Sequence, residues 1–145
     1  MNNLLSDYNS NNVTASNVAR TNLYTDLDLS FNIHPILKDI VPVSDLDAVR
    51  NSIKNLVLTS FYERPFHPEI GSTIGGLLFE PANLFTGLAI KNEIERVIQK
   101  FEPRVNDVTV QVIDESDNNS YLITVGFNVL YDTKSEIQFY LNRLR

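Results

Sequence analysis

The side chains able to do chemistry are few and scattered. His34 and His67 are the chain's two histidines. They lie far apart and in neither an HExxH nor a related spacing, so no metal site is expected. The absence of cysteine removes thiolate ligands and any disulfide framework. No GxSxG elbow marks a nucleophile. Gly71, Ser72, Thr73, Gly75 and Gly76 lack the GK[ST] ending and preceding strand of a phosphate-binding loop. Four carboxylates, Glu63, Glu69, Glu80 and Glu102, stand in or beside apolar stretches. A glycosidase needs two carboxyls roughly 5–9 Å apart, one with a raised pKa. The sequence singles out no such pair, so no catalytic or cofactor-binding residue is assigned.

The most specific local string is Phe101-Glu102-Pro103-Arg104-Val105. Pro103 stops a helix and fixes the direction in which the chain leaves it. Two readings of the charges stand. Composition favours an exposed turn. The flanking Phe101 and Val105 instead favour partial burial, in which Arg104 needs carboxylate or carbonyl acceptors for its planar fork. Glu63, Glu69, Glu80 or a partner chain are the candidate acceptors.

The elements that must position these groups follow from hydrophobic period. Residues 1–25 are rich in Asn and Ser, show no period, and read as a flexible or partner-ordered extension. Leu4, Leu5, Tyr8, Leu23 and Tyr24 could anchor it. A domain over 26–145 follows. Leu27, Leu29, Phe31 and Ile33 alternate with polar residues as a half-buried strand, and 34–43, with two prolines, reads as a loop. Ser44 and Asp47 suggest a capping box for an amphipathic helix over 45–60, with Leu46, Val49, Ile53, Leu56, Val57 and Phe61 in its stripe. Pro65, Pro68 and Gly71 break 61–72. A short helix is expected over 73–79. A longer one has Pro81 in its first turn and stops before Pro103.

Three alternating runs complete the chain: Val108–Val112, Tyr121–Tyr131 and Ile137–Leu141. Polar turns at 114–120 and 132–134 join them into an antiparallel meander. Helices on one face of that meander give an α+β domain: an N-terminal strand, three helices, then three strands. Ile137, Phe139 and Leu141 lie on a last strand that nothing later in the chain can cover. If it is a sheet edge, only Glu136, Arg143 and Arg145 guard it against pairing with another chain.

Bulk properties exclude several classes. The 145 residues suit one domain, and 43% hydrophobic with 21% charged residues is ordinary globular composition. No run approaches the roughly 20 apolar residues of a membrane span, and no charged-then-apolar leader is seen. The net charge of -6 and the lack of a Lys/Arg cluster argue against nucleic acid and membrane surfaces.

Phe101-Glu102-Pro103-Arg104-Val105, following a helix and preceding the strand Val108-Thr109-Val110-Gln111-Val112-Ile113, resembles the Glu-Pro-Arg signature of phage baseplate wedge proteins. That family includes a related subunit of type VI secretion baseplates. Arg64-Pro65-Phe66, Pro68-Glu69, Gly71 and then Leu78-Phe79-Glu80 are similar to a second family segment, in the same order. The resemblance spans roughly residues 26–143. Two departures are Phe61-Tyr62 where a glycine is usual and Ile70 where Phe or Tyr is usual. The resemblance implies a non-enzymatic structural subunit of the virion tail baseplate, assembled in the host cytoplasm. Its implied partners are wedge scaffold proteins, the tail sheath protein, and tail-tube or hub proteins. It also implies that strand exchange at Ile137, Phe139 and Leu141 templates the first sheath ring. Arg64, Pro65, Pro68, Glu69, Gly71, Glu80, Glu102, Pro103 and Arg104 are the structural or interface motif. A peptidoglycan hydrolase and a regulatory protein-binding module are the alternatives.

Overall fold

A computed structural model describes residues 24–27, 31–36, 38–129 and 133–143. The expectations for most of residues 1–25, and for Leu29, Tyr131 and Arg145, fall outside these. The chain divides into two compact units, Met1–Asp45 and Leu46–Arg145.

In the first unit β1 (Thr25–Leu27) pairs antiparallel with β2 (Pro42–Ser44), Thr25 opposite Ser44 and Leu27 opposite Pro42. Ile33 and Ile40 form an isolated antiparallel bridge. This corrects the expected strand and loop. Leu27, Phe31 and Ile33 are exposed rather than half-buried. Part of the expected loop supplies the pairing partner, because proline is tolerated in the edge strand of so small a sheet.

α1 (Asp45–Leu58) buries Val49, Ile53, Leu56 and Val57 of the expected stripe and adds Ala48, while Leu46 is half-buried and Phe61 lies beyond the helix end. Its start differs from the expected capping box. Ser44 is committed to β2, and the Asp47 carboxylate accepts from Arg50 Nη1 at 2.9 Å. Asp45, at φ 52, turns the chain instead. Its N–H donates to the Tyr24 carbonyl at 2.8 Å.

After an irregular stretch come α2 (Ile74–Leu77) and α3 (Leu84–Phe101). Pro81 lies outside α3, contrary to expectation. Asn83 caps the helix: its Oδ1 accepts the Thr86 N–H at 2.8 Å. The Pro81 carbonyl takes the Thr86 hydroxyl at 2.9 Å.

β3 (Val105–Glu115), β4 (Ser120–Val129) and β5 (Thr133–Asn142) form an antiparallel meander in the order β3-β4-β5. A 3-10 turn, Ser116–Asn118, and a left-handed Asn119 join the first two. The strands run further into the expected turns than the alternation indicated. Register between β3 and β4 shifts between Asn106 and Thr109. Asp107 sits there at φ 50, and its carboxylate accepts from Asn128 Nδ2 at 3.0 Å. β4 and β5 pair without interruption from Ser120–Asn142 to Val129–Thr133.

Period two divides the sheet cleanly. Tyr121, Ile123, Val125, Phe127 and Val129 are buried, as are Val110, Phe139 and Leu141. They share the core with Ile74, Leu78, Ile90, Ile94, Val97 and Ile98 from α2, its end and α3. Fully burying each such aliphatic side chain contributes about 1.5–3 kcal/mol. The opposite face keeps Thr109, Gln111, Ile113, Glu136, Gln138 and Tyr140 exposed.

Replacing Asn83 by alanine is expected to lower unfolding free energy by about 1 kcal/mol. Asn83→Asp, which keeps the acceptor, should stay near wild type. Urea denaturation of both variants checks this.

Candidate functional site

The Glu-Pro-Arg string forms the corner between α3 and β3. Glu102 ends α3: its N–H donates to the Ile98 carbonyl at 2.9 Å, and its own carbonyl accepts the Val105 N–H at 3.2 Å. Pro103 is exposed between them. The Glu102 carboxylate is buried, with only 3% of the residue accessible. Arg104 grips it as a fork, Nε to Oε1 at 2.5 Å and Nη2 to Oε2 at 2.6 Å. Ser52 of α1 donates its hydroxyl to Oε2 at 2.6 Å. An acceptor for Arg104 is thus its own neighbour two residues back, where Glu63, Glu69 and Glu80 had been candidates. Burial pushes the Glu102 pKa up, but the bonds from Arg104 and Ser52 outweigh it and hold the group below the usual value. The corner therefore joins α1, α3 and β3 through one charged oxygen pair.

The second string forms a loop closed on itself. Ser60 and Ser72 bridge in parallel. The Ser72 N–H donates to the Thr59 carbonyl at 2.9 Å, and the Tyr62 N–H to the Pro68 carbonyl at 3.1 Å. Glu63 accepts the Ser60 N–H at 2.8 Å, and the Glu69 carboxylate meets His67 at 3.1 Å. Gly71 is buried against the Ser60–Phe61 backbone. A Cβ there would come within 2.6 Å of the Ser60 carbonyl carbon, which only glycine avoids. Arg64, Pro65 and Pro68 are exposed on the loop, and Glu80 is exposed beyond α2.

Sequence reasoning missed the group that ties this region to α3. Glu93 accepts the Thr73 N–H at 2.8 Å and both Arg96 Nε and Nη2 at 2.8 Å. The Arg96 guanidinium lies 5.7 Å from the centre of the Phe61 ring. Arg96 and the Thr73 bonds, against burial, lower the Glu93 pKa to about 2. The i,i+3 spacing of Glu93 and Arg96 was the available signal.

Among the described residues β5 is an edge strand of the sheet. Phe139 and Leu141 point into the core and Ile137 is half-buried. Arg143 does not guard that edge, contrary to expectation. Its guanidinium stacks 4.8 Å from the Tyr121 ring centre and pairs with Asp114 of β3. Among the described residues no group of three or more His, Asp or Glu side chains could hold a metal ion, and no helix is long and apolar enough to cross a membrane.

The fold recurs in solved structures. A Geobacter sulfurreducens protein described as a candidate tail lysozyme superposes with a TM-score of 0.64 at 23% identity, covering 68% of this chain and 91% of its own. A chain of the type VI secretion system baseplate complex matches with a TM-score of 0.54 at 15% identity, covering 67% and 93%. The baseplate wedge protein gp25 of Enterobacteria phage T4 is 28% identical over 116 residues, 80% of this chain and 86% of that protein. The family model for baseplate wedge protein gp25 matches residues 43–136, and the chain belongs to that family.

Arg104→Ala should lower unfolding free energy by about 3 kcal/mol, since it strands a buried carboxylate. The expected deficit shrinks in Glu102→Gln/Arg104→Ala, where no charge is left unpaired. A double-mutant cycle in urea reads the difference. Acid should also act through Glu93. Its folded pKa is depressed, so its contribution is complete above its unfolded value of 4.5 and fades as pH falls toward about 2. Melting temperature measured across that window should drop less in Glu93→Gln than in wild type.

Proposed function

We propose that this chain is a non-catalytic structural subunit of a contractile-tail baseplate wedge, located in the virion tail baseplate. It binds wedge scaffold proteins beside the tail tube and seeds the first sheath ring by adding a strand of the sheath protein to β5. Membership of the wedge family supports the first part. The observation that carries the second is the place of β5 at the end of a regular, uninterrupted ladder. An edge strand presents unpaired N–H and C=O groups, and a partner strand satisfies them by augmentation. The Glu-Pro-Arg corner fixes the sheet that carries this edge, and Arg64, Pro65, Pro68, Glu69, Gly71 and Glu80 belong to the contact region around α2.

One structural neighbour is described as a candidate tail lysozyme, which gives a second reading, peptidoglycan hydrolysis. Glu102 and Glu69 do not fit the general acid it needs. Glu102 is held ionised by a fork, and the Glu69 pKa is also lowered, chiefly by a backbone hydrogen bond and by His67. A general acid needs the opposite shift.

Adjacent residues of an antiparallel edge strand send their N–H groups in opposite directions. Proline at Ile137 and at Gln138 therefore removes one inward and one outward donor. The variant that keeps the melting temperature nearer wild type should still join baseplates yet fail to start sheath rings. Sheath rings forming normally on it would reject β5 as the template. Cell-wall digestion by the pure chain, lost in Glu63→Gln at an unchanged melting temperature, would instead favour the hydrolase.

A further inference from the structure

The loop from Ser60 to Ser72 has an uneven distribution of partners. Its acidic groups are occupied internally, Glu63 by the Ser60 N–H and Glu69 by His67. Arg64 is exposed, and among the described residues its guanidinium has neither a hydrogen bond nor an ion pair. Beside it in sequence stand two aromatic rings that contribute almost nothing to the core: Tyr62 is 85% and Phe66 91% exposed. Tyr62 is also held at φ 67, a left-handed conformation that a bulky residue adopts only under constraint. The Tyr62 N–H bond to the Pro68 carbonyl maintains it.

Folding alone does not account for this combination. Strain held by surrounding bonds clusters at sites of function. Tyr and Arg dominate the centres of protein interfaces. A loop closed by its own hydrogen bonds loses little entropy on binding. The guanidinium fork matches a carboxylate. The chain's net charge of -6 opposes extended polyanions, which favours a single acidic side chain on a protein.

We propose that the 60–72 loop is a preformed docking knob for an acidic side chain flanked by apolar residues on a partner baseplate protein. Arg64 forks the carboxylate, and Tyr62 and Phe66 cover the apolar flank. This rests on the wedge-subunit reading and names the partner chemistry of its contact region.

The full chain is co-expressed with the other baseplate proteins of its tail, and the fraction sedimenting with assembled baseplates is measured. Arg64→Glu should reduce that fraction by about tenfold through charge repulsion. Tyr62→Gly suits the left-handed backbone, so it should hold or raise the melting temperature of the free chain while weakening sedimentation. In the Arg64→Lys variant a zero-length carbodiimide should join the new amine to an Asp or Glu of the partner, mapped by mass spectrometry. Wild-type sedimentation from both Arg64→Glu and Tyr62→Gly would overturn the knob alone. So would a Tyr62→Gly chain that loses stability and binding together, or a position-64 cross-link confined to this chain or absent. Failure of the wild-type chain to sediment with baseplates would overturn the subunit reading and the knob with it.

Discussion

A carboxylate in an apolar corner must either take up a proton or be matched by donors strong enough to hold its charge. Glu102 takes the second course, and the second unit is organised around that choice. Its two oxygens receive the Arg104 fork and the Ser52 hydroxyl. Helix α3 stops there, β3 starts there, and α1 is fastened there. Arg104 cannot reach back two residues unless Pro103 turns the chain sharply, so the local bend and the ion pair require each other.

Glu93 does similar work near the loop. It combines a backbone donor at Thr73 with Arg96, and Arg96 lies over the Phe61 ring. Both anionic centres are satisfied by arginine and by short-range donors. The interior between them is aliphatic, so the few polar groups there fix angles while the Ile and Val side chains supply most of the burial energy. The loop can consequently be rigid without packing its own aromatic residues inward.

The helices and meander strands were legible because each buries one face, and burial imposes a period on the sequence. Tyr121 to Val129 and the stripe of α1 are the clearest examples. The β1–β2 pairing was not legible: the alternation from Leu27 to Ile33 suggested a half-buried strand where the described apolar residues are exposed, and the partner strand lies in a proline-containing segment. The start of α3 was misplaced because proline and asparagine both signal helix beginnings and the side-chain bond to Thr86 decided between them. The motif strings located the corner and the loop by residue type. They could not reveal that Arg104 grips its neighbour, since that depends on the backbone path through Pro103, nor that Arg143 bends across Tyr121 to Asp114.

The register shift at Asn106–Thr109 gives the sheet two unlike margins. Along β3 the regular spacing is broken near the strand's start, where Asp107 turns the backbone, and is even from Thr109 to Glu115. Along β5 the spacing is even from end to end. Under the proposed reading, a strand added at β5 would meet an even row of backbone groups from end to end, whereas one laid along β3 would meet the break at Asp107, as at a crystal seed with one smooth face.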